Sequence, residues 1–276
     1  MTGATSGIGL EAAVALARQG NRLVLVGRDQ KKMNAAVDEV KRRAGVATAE
    51  DSWLCEFGSQ AQIRKLATDV LANYDRLDVL VNNAGLATRR REVTEDGIER
   101  TFAVNHLGPF LLTNLLLDLL VKSAPARVVN VASSEHYDAA MDLSDLGFER
   151  SGWSMVNAYR RSKLGNVMFT RALAKRLKGK GVTVNAVHPG AVATGIWDNG
   201  PGWTRPMIWL AGKLIMITPE KAANSIVHLA SSAEVGGKSG LYFNKLEPKE
   251  PSKLALDDEL AEKLWAESAH LVKLGR

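Results

Sequence analysis

Short, near-continuous apolar runs alternate along the chain with longer segments of helical periodicity, and this alternation leaves few folds open. Arg22–Val26, Leu77–Val81, Arg127–Val131 and Val182–Val187 read as buried strands, and Gly240–Phe243 as a short last one, with Ser52–Cys55 a weaker candidate. Ile8–Gln19, Lys32–Arg43, Ile63–Asn73 and Ala158–Leu177 carry helical patterns between them. A strand that is apolar on both faces must be covered on both faces, and strand–helix–strand units do this with a parallel sheet. The expected fold class is therefore α/β: a Rossmann-like, doubly wound parallel sheet in one domain spanning residues 1–276. No linker or internal repeat divides the 276 residues. The Lys/Glu-rich stretch from Pro248 to Arg276 reads as an appended surface helix.

Composition removes several function classes. The apolar fraction of 46% and charged fraction of 24% are those of an ordinary globular protein. The net charge is +6, but it is dispersed apart from Lys41–Arg43 and Arg89–Arg91, which argues against a dedicated nucleic-acid binder. Cys55 is the single cysteine, so no intrachain disulfide can form and a reducing compartment, with cytoplasm as the default, is expected. No signal peptide is visible in the glycine-rich start. Leu111–Val121 is interrupted by Asn114 and Asp118, and Met207–Ile217 by Lys213. A membrane span needs about 20 apolar residues, so none is expected. His106, His136 and His188 have no metal-ligand spacing; they read as structural or cleft residues, and no metal is implied.

Thr2-Gly3-Ala4-Thr5-Ser6-Gly7-Ile8-Gly9 is a glycine-rich turn opening onto a helix. Glycines allow a tight turn and close approach of backbone to a pyrophosphate, and the helix N-terminus offers free N–H groups and partial positive charge. Such a loop should follow a strand that sits mid-sheet, yet only Met1 precedes Thr2. A missing central strand would leave rows of interior backbone groups unpaired, each costing roughly 1–3 kcal/mol. The expectation is a chain shortened from a longer protein at its first strand, the alternative being another segment that fills the gap.

Tyr159-Arg160-Arg161-Ser162-Lys163 puts Tyr159 and Lys163 on one face of a helix. A phenol ionises near pH 10, and a neighbouring ammonium favours its phenolate, so the pair suits proton transfer. Further polar or small residues follow the strands: Asn82–Gly85, Asn105 opening an apolar helix, Ser133–Ser134, and His188-Pro189-Gly190 with Thr194 beyond. The carboxyl ends of parallel strands are where such sheets bind ligands.

With these pieces in this order, the sequence resembles the short-chain dehydrogenase/reductases, most of all their retinol-dehydrogenase-like branch. Asn105-His106-Leu107-Gly108, Val128–Val131, Val187–Gly190, the long stretch from Ser133 to Tyr159, Gly240–Phe243 and Leu264-Trp265 carry the finer likeness. The resemblance implies an oxidoreductase that interconverts a carbonyl and an alcohol. Tyr159 is its proton donor or acceptor. Lys163 lowers the Tyr159 pKa and holds the nicotinamide ribose. Ser133 bonds the substrate oxygen, and Asn105 supports a water linking Lys163 to solvent. Ser134 competes for the serine role; Ser133 aligns with the second serine of the family's Ser-Ser pair, Ala132 with the first. The cofactor contacts implied are Gly3, Thr5, Ser6, Gly7, Ile8, Gly9, Arg28, Asn83, Ala84, Gly85, Tyr159, Lys163, Pro189, Gly190 and Thr194. Glu56-Phe57 stands where the family has an acidic and a small aliphatic residue near the adenine.

The cofactor choice turns on the end of the Arg22–Val26 strand. Asp29 lies at the general distance from Gly9 of the acid that binds the NAD ribose, but the resemblance places that acid at position 27, where Gly27 has no charge. Arg28 can make charge-assisted bonds to a 2′-phosphate, so NADP(H) is expected over NAD(H). Trp197, Trp203, Met207, Trp209 and Met216 line an apolar pocket or pack on the core; in the first case the substrate is a lipophilic aldehyde, ketone or alcohol. The helices near Leu111–Leu120 and Ala158–Leu177 are where the family often builds a homodimer. Alternatives are a noncatalytic NADP(H)-sensing protein, a C=C reductase with the same residues, and a basic surface-binding module.

Overall fold

The structure, a computed structural model, describes residues 1–45, 51–192 and 217–275. The strands are β1 (Val24–Gly27), β2 (Asp51–Leu54), β3 (Val79–Asn82), β4 (Ala126–Val131), β5 (Val182–His188), β6 (Tyr242–Asn244) and β7 (Glu247–Pro248). β1 pairs with β2, and β3 to β7 run side by side in chain order, all parallel except the antiparallel β6–β7. The weak Ser52–Cys55 candidate is thus a strand, shifted one residue towards the N-terminus.

Alternation of side chains across the strands creates two cores. Val81, Val129, Val131 and Val187 meet α1 (Gly7–Arg18) and α8 (Pro219–Ser231) on one face. Their neighbours Leu80, Val128 and Val184 point the other way, towards α3 (Gln60–Asn73), α5 (Gly108–Leu115) and α7 (Met155–Arg176). α2 (Gln30–Ala44) joins α1 on the first face. Local chemistry sets the boundaries. Asp29, Ser59, Ser154 and Thr218 cap α2, α3, α7 and α8 with side-chain oxygens, and Gly45 ends α2 at φ 69°.

The mid-sheet position between β1 and β3 is held by Met1 and Thr2. Thr2 pairs with Val26 in a parallel bridge. Its N–H donates to the Val81 carbonyl at 3.0 Å, and the Val26 N–H donates to the Met1 carbonyl at 2.9 Å. Met1 and Thr2 thus occupy this position with an isolated bridge rather than a strand, and the backbone bonds of Met1, Thr2 and Ala4 link the two sheets.

Two expectations change in detail. Asn105 does not open a helix: it lies inside a π-helical turn, Ala103–Leu107, between α4 (Arg100–Phe102) and α5. The C-terminal helix α10 (Asp258–Leu271) is more than a surface appendage, because Leu264 is buried against the core. Trp265 packs on Phe110 and Phe169, with ring centroids 4.9 and 5.7 Å away. His106 and Ser268 share a 3.0 Å hydrogen bond. This helix covers part of the α5/α7 face to which the resemblance assigns a dimer contact. No helix among the described residues is long and apolar enough to cross a membrane.

Candidate active site

The glycine-rich loop is shaped by close contacts. Gly3 and Gly7 have φ of +64° and +54°, a region that favours glycine. A Cβ on Gly9 would lie 2.1 Å from the Gly3 carbonyl oxygen. Ser6, at the N-cap of α1, makes no side-chain capping bond, so its side chain leaves the first-turn N–H groups of this helix uncapped, an arrangement that suits an anion. Thr5 is half-buried, and its methyl group takes the space a Cβ on Gly27 would need, 2.6 Å away. Ser6 and Gly85 are exposed, Ile8, Asn83 and Ala84 half-buried.

The loop after β3 is stapled onto this turn by Thr2. Its hydroxyl oxygen accepts from the Asn83 and Ala84 N–H groups at 3.0 Å each. The Asn83 amide donates in return to the Thr2 and Gly3 carbonyls at 3.0 Å. Thr2 was not among the expected ligand contacts, although it heads the motif; its part is to hold together two loops that are. These features fit a dinucleotide: a close-approach turn, an uncapped helix N-terminus and a braced second loop.

At the end of β1, Arg28 is 61% exposed and its guanidinium lies 3.7 Å from Glu56. Asp29 is occupied by the helix, accepting from the Lys32 N–H at 2.9 Å. Glu56 is also engaged, by Arg100 at 3.2 Å and by the Gly58 N–H at 3.1 Å.

Tyr159, Lys163 and Ser133 come together at the carboxyl end of β4. α7 presents Tyr159 and Lys163 one turn apart, both buried, with the Lys163 ammonium 5.5 Å from the Tyr159 ring centroid. Lys163 donates to the Val131 carbonyl at 2.9 Å. An ammonium has three donors, and this is its one bond to an acceptor among the described residues. Burial lowers its pKa to about 8. The Ser133 side chain acts on the Tyr159 phenol and favours its ionised form, and its hydroxyl accepts from the Glu135 N–H at 3.2 Å. Ser134 is exposed, so the structure brings Ser133, not its rival, to the tyrosine. Burial pushes the Tyr159 phenol up to about 12; Ser133 pulls the other way, and the Glu135 carboxylate adds to the rise.

Asn105 spends its amide on framing. Its oxygen accepts from the Leu86 N–H at 2.8 Å, and its nitrogen donates to the Leu86 carbonyl at 2.9 Å and to Ser162 at 3.0 Å. The loop carrying Gly85 is thereby tied to α7. A Cβ on Gly85 would lie 3.3 Å from the Asn105 oxygen and 3.6 Å from the Lys163 nitrogen. Pro189 and Gly190 are buried beyond β5, Gly190 with φ of +106°. Thr194, Trp197, Trp203, Met207, Trp209 and Met216 lie outside the described residues. His106 is buried beside Ser268, and burial lowers its pKa to about 4. Among the described residues no group of three His, Cys, Asp or Glu side chains is placed to hold a metal.

Beneath Tyr159, Lys163 and Ser133 runs a buried polar chain. Asn82 donates to Asn130 at 2.8 Å and Thr113 at 3.0 Å; Asn130 donates to Thr170 at 2.9 Å. Sequence reading did not find this network, because asparagines on strands carry no local signal of a cross-strand partner.

Comparison with known proteins agrees with this geometry. A family model described as short chain dehydrogenase matches residues 1–203. Retinol dehydrogenase 13 of Homo sapiens is 41% identical over 282 residues, which cover 99% of this chain and 84% of that protein. Retinol dehydrogenase 14 of Homo sapiens is 39% identical over 288 residues, covering 99% and 85%. A crystal structure of an uncharacterised protein from Mycobacterium Paratuberculosis matches with a TM-score of 0.80 at 30% identity, over 99% of this chain and 91% of that one. A variant of actinorhodin polyketide ketoreductase, solved with NADPH, matches with a TM-score of 0.70 at 27% identity, over 88% and 93%.

Proposed function

The chain belongs to the short-chain dehydrogenase family and is an oxidoreductase of the carbonyl/alcohol class, and we propose that it is an NADP(H)-dependent enzyme acting on a lipophilic aldehyde, ketone or alcohol. The observation that carries the reading is the buried Tyr159 with the Lys163 ammonium 5.5 Å from its ring centroid and the buried Ser133 acting on its phenol. When bound, the nicotinamide cofactor supplies the hydride for reduction or takes it up in oxidation. In reduction the Tyr159 phenol gives its proton to the carbonyl oxygen as the carbonyl carbon gains hydride. The Ser133 hydroxyl, its lone pair held by the Glu135 N–H, turns its proton to the same oxygen as charge develops there. In oxidation Tyr159 must first lose its proton, and Lys163 stabilises the phenolate. The free ammonium donors of Lys163 suit the ribose hydroxyls, and a water beside the π-helical turn of Asn105 would carry its proton to solvent.

Arg28 supports NADP(H): it is exposed and loosely paired, whereas Asp29 is engaged as a helix cap and Gly27 leaves room only for the Thr5 methyl group. The names of the relatives support an apolar alcohol or aldehyde. The single buried Cys55 keeps a reducing, cytoplasmic setting part of the proposal. A homodimer through α5 and α7 would have to accommodate α10.

The test pairs turnover with binding. All-trans retinaldehyde and a series of apolar aldehydes and ketones are offered with NADPH, and products are identified. Tyr159→Phe should reduce turnover by about 10²–10⁴-fold while NADPH still quenches tryptophan fluorescence. Undiminished turnover in that variant refutes the catalytic assignment. NADPH binding without turnover of any carbonyl by the wild type favours the sensor, and a saturated carbonyl product from an enone favours C=C reduction.

A further inference from the structure

We propose that His136 is a positioning residue for Ser133, and that through it the C-terminal strap Glu247–Ser252 holds the serine against Tyr159. The proposal rests on the reading of Ser133 as the group that bonds the substrate oxygen.

The His136 side chain is fully buried in the short 3₁₀ turn, Ser134–Asp138, that Ser133 opens. Its Nδ1 lies 2.7 Å from the Ser133 carbonyl oxygen. A carbonyl only accepts, so Nδ1 carries the proton. Its Nε2 lies 3.2 Å from the backbone nitrogen of Ser252, which donates, so Nε2 presents its lone pair. The two contacts together select one neutral tautomer, and burial, which lowers the His136 pKa, favours the neutral ring. The ring is packed between Tyr137 and Tyr242, with centroids 4.2 and 4.6 Å away.

The far end of this bridge is anchored. The Tyr137 hydroxyl donates to the Glu250 carbonyl, and the Lys249 N–H donates to the Tyr242 carbonyl at 2.8 Å. Ser252 caps the short helix α9 (Lys253–Leu256), accepting from the Ala255 N–H at 3.3 Å. The near end matters because Ser133 sits where β4 has ended. Its backbone is extended, with φ −157° and ψ 156°, and no strand partner fixes its carbonyl. It accepts instead from the His136 backbone N–H at 3.3 Å, which closes the 3₁₀ turn, and more closely from the ring Nδ1–H at 2.7 Å. Rotation of this peptide would carry the Ser133 hydroxyl away from Tyr159, and small misplacements of a reacting group are costly to rate.

Three variants of the full chain separate this role from simple packing. His136→Asn keeps a donor near the Nδ1 position. His136→Gln reaches the Nε2 side and keeps only the link to Ser252. His136→Phe keeps a ring and removes both bonds. Each is assayed for kcat and KM with all-trans retinaldehyde or whichever carbonyl the wild type reduces, for NADPH affinity, and for Tm. Phe and Gln should lower kcat by about 10–100-fold, as expected for a misplaced reacting group, with NADPH affinity within twofold of wild type. Asn should recover most of the lost kcat although its Tm is no higher than that of Gln. Equal kcat for all three, or kcat that follows Tm alone, overturns the proposal. If the Phe variant does not fold, the Asn–Gln contrast decides by itself. An independent check is the ¹⁵N NMR signature of His136: an Nδ1-protonated, neutral ring is expected, and an Nε2-protonated ring overturns the bridge. Tyr159→Phe runs alongside; full turnover there sinks the underlying reading, whereas loss there with unchanged His136 variants sinks only the positioning role.

Discussion

The two ends of the candidate site are built to different standards of bracing. The catalytic end stands on the five-stranded part of the sheet, where β4 pairs with β5 over six residues and with β3 over four. Asn82, Asn130, Thr113 and Thr170 lock those strands to α5 and α7 from below. The nucleotide end stands on β1 and β2, which meet β3 not by a strand ladder but through the Met1–Ala4 backbone and the Thr2 hydroxyl. Reacting groups must be held to fractions of an ångström, while a phosphate cradle made of backbone N–H groups tolerates more play. The contrast teaches that one fold can brace two parts of a site by different means, side-chain networks beneath the strands at one end and backbone bonds from Met1–Ala4 at the other.

The strongest consequence concerns proton transfer at the catalytic end. With the Tyr159 phenol at about 12 and the Lys163 ammonium at about 8, the phenol is protonated at neutral pH. Carbonyl reduction should therefore be flat from pH 6 to 8. Alcohol oxidation, which needs the phenolate, should rise about tenfold per pH unit over the same range and bend near pH 8 as Lys163 loses its charge. Initial rates in both directions across pH 6–9 check this; parallel profiles would contradict the assignment. Lys163→Met should remove the bend and lower kcat by about 10²–10⁴-fold.

Paired substitutions then separate the two ends. Asn130→Leu leaves Asn82 and Thr170 short of partners in the core and should cost about 3 kcal/mol, read as a lower Tm with NADPH affinity nearly unchanged. Thr2→Val removes the acceptor of two backbone N–H groups and should cost about 1–3 kcal/mol, read mainly as weaker nucleotide binding. If Thr2→Val lowers Tm as much as Asn130→Leu and spares binding, the two ends are not independently braced. The smallest effect is expected of Arg28→Ala. Loss of its charge should weaken NADPH binding about tenfold, or about 1.4 kcal/mol, and leave NADH binding unaltered in a parallel fluorescence titration. Tighter binding of NADH than NADPH by the wild type would transfer the nucleotide choice to another residue.

Periodicity and capping are dialogues between neighbours in the chain, and these were open to reading. The apolar runs located β1, β3, β4 and β5, and the helical stripes located α1, α2, α3 and α7 to within a few residues. Helix α8 escaped notice, although Thr218-Pro219-Glu220 is a legible start signal. Tyr159 and Lys163 were legible because one helical turn separates them, and the Ser133–Ser134 pair because it follows a strand, the choice of Ser133 resting on the resemblance. The π-helical turn at Asn105 was not, since no local residue type marks one.

What the sequence by itself determined, then, is the alternation that demands a covered parallel sheet, the glycine turn that admits a phosphate, and the tyrosine–lysine pair on one face. What only the tertiary structure decided are contacts between residues far apart in the chain. Thr2 meets Asn83 across 81 positions, His136 meets Ser252 across 116, and His106 meets Ser268 across 162. No local pattern encodes such meetings. They are fixed when helices bury their apolar faces on the sheet, and the polar groups carried inside with them must then find partners there or lose the hydrogen bonds they had in water.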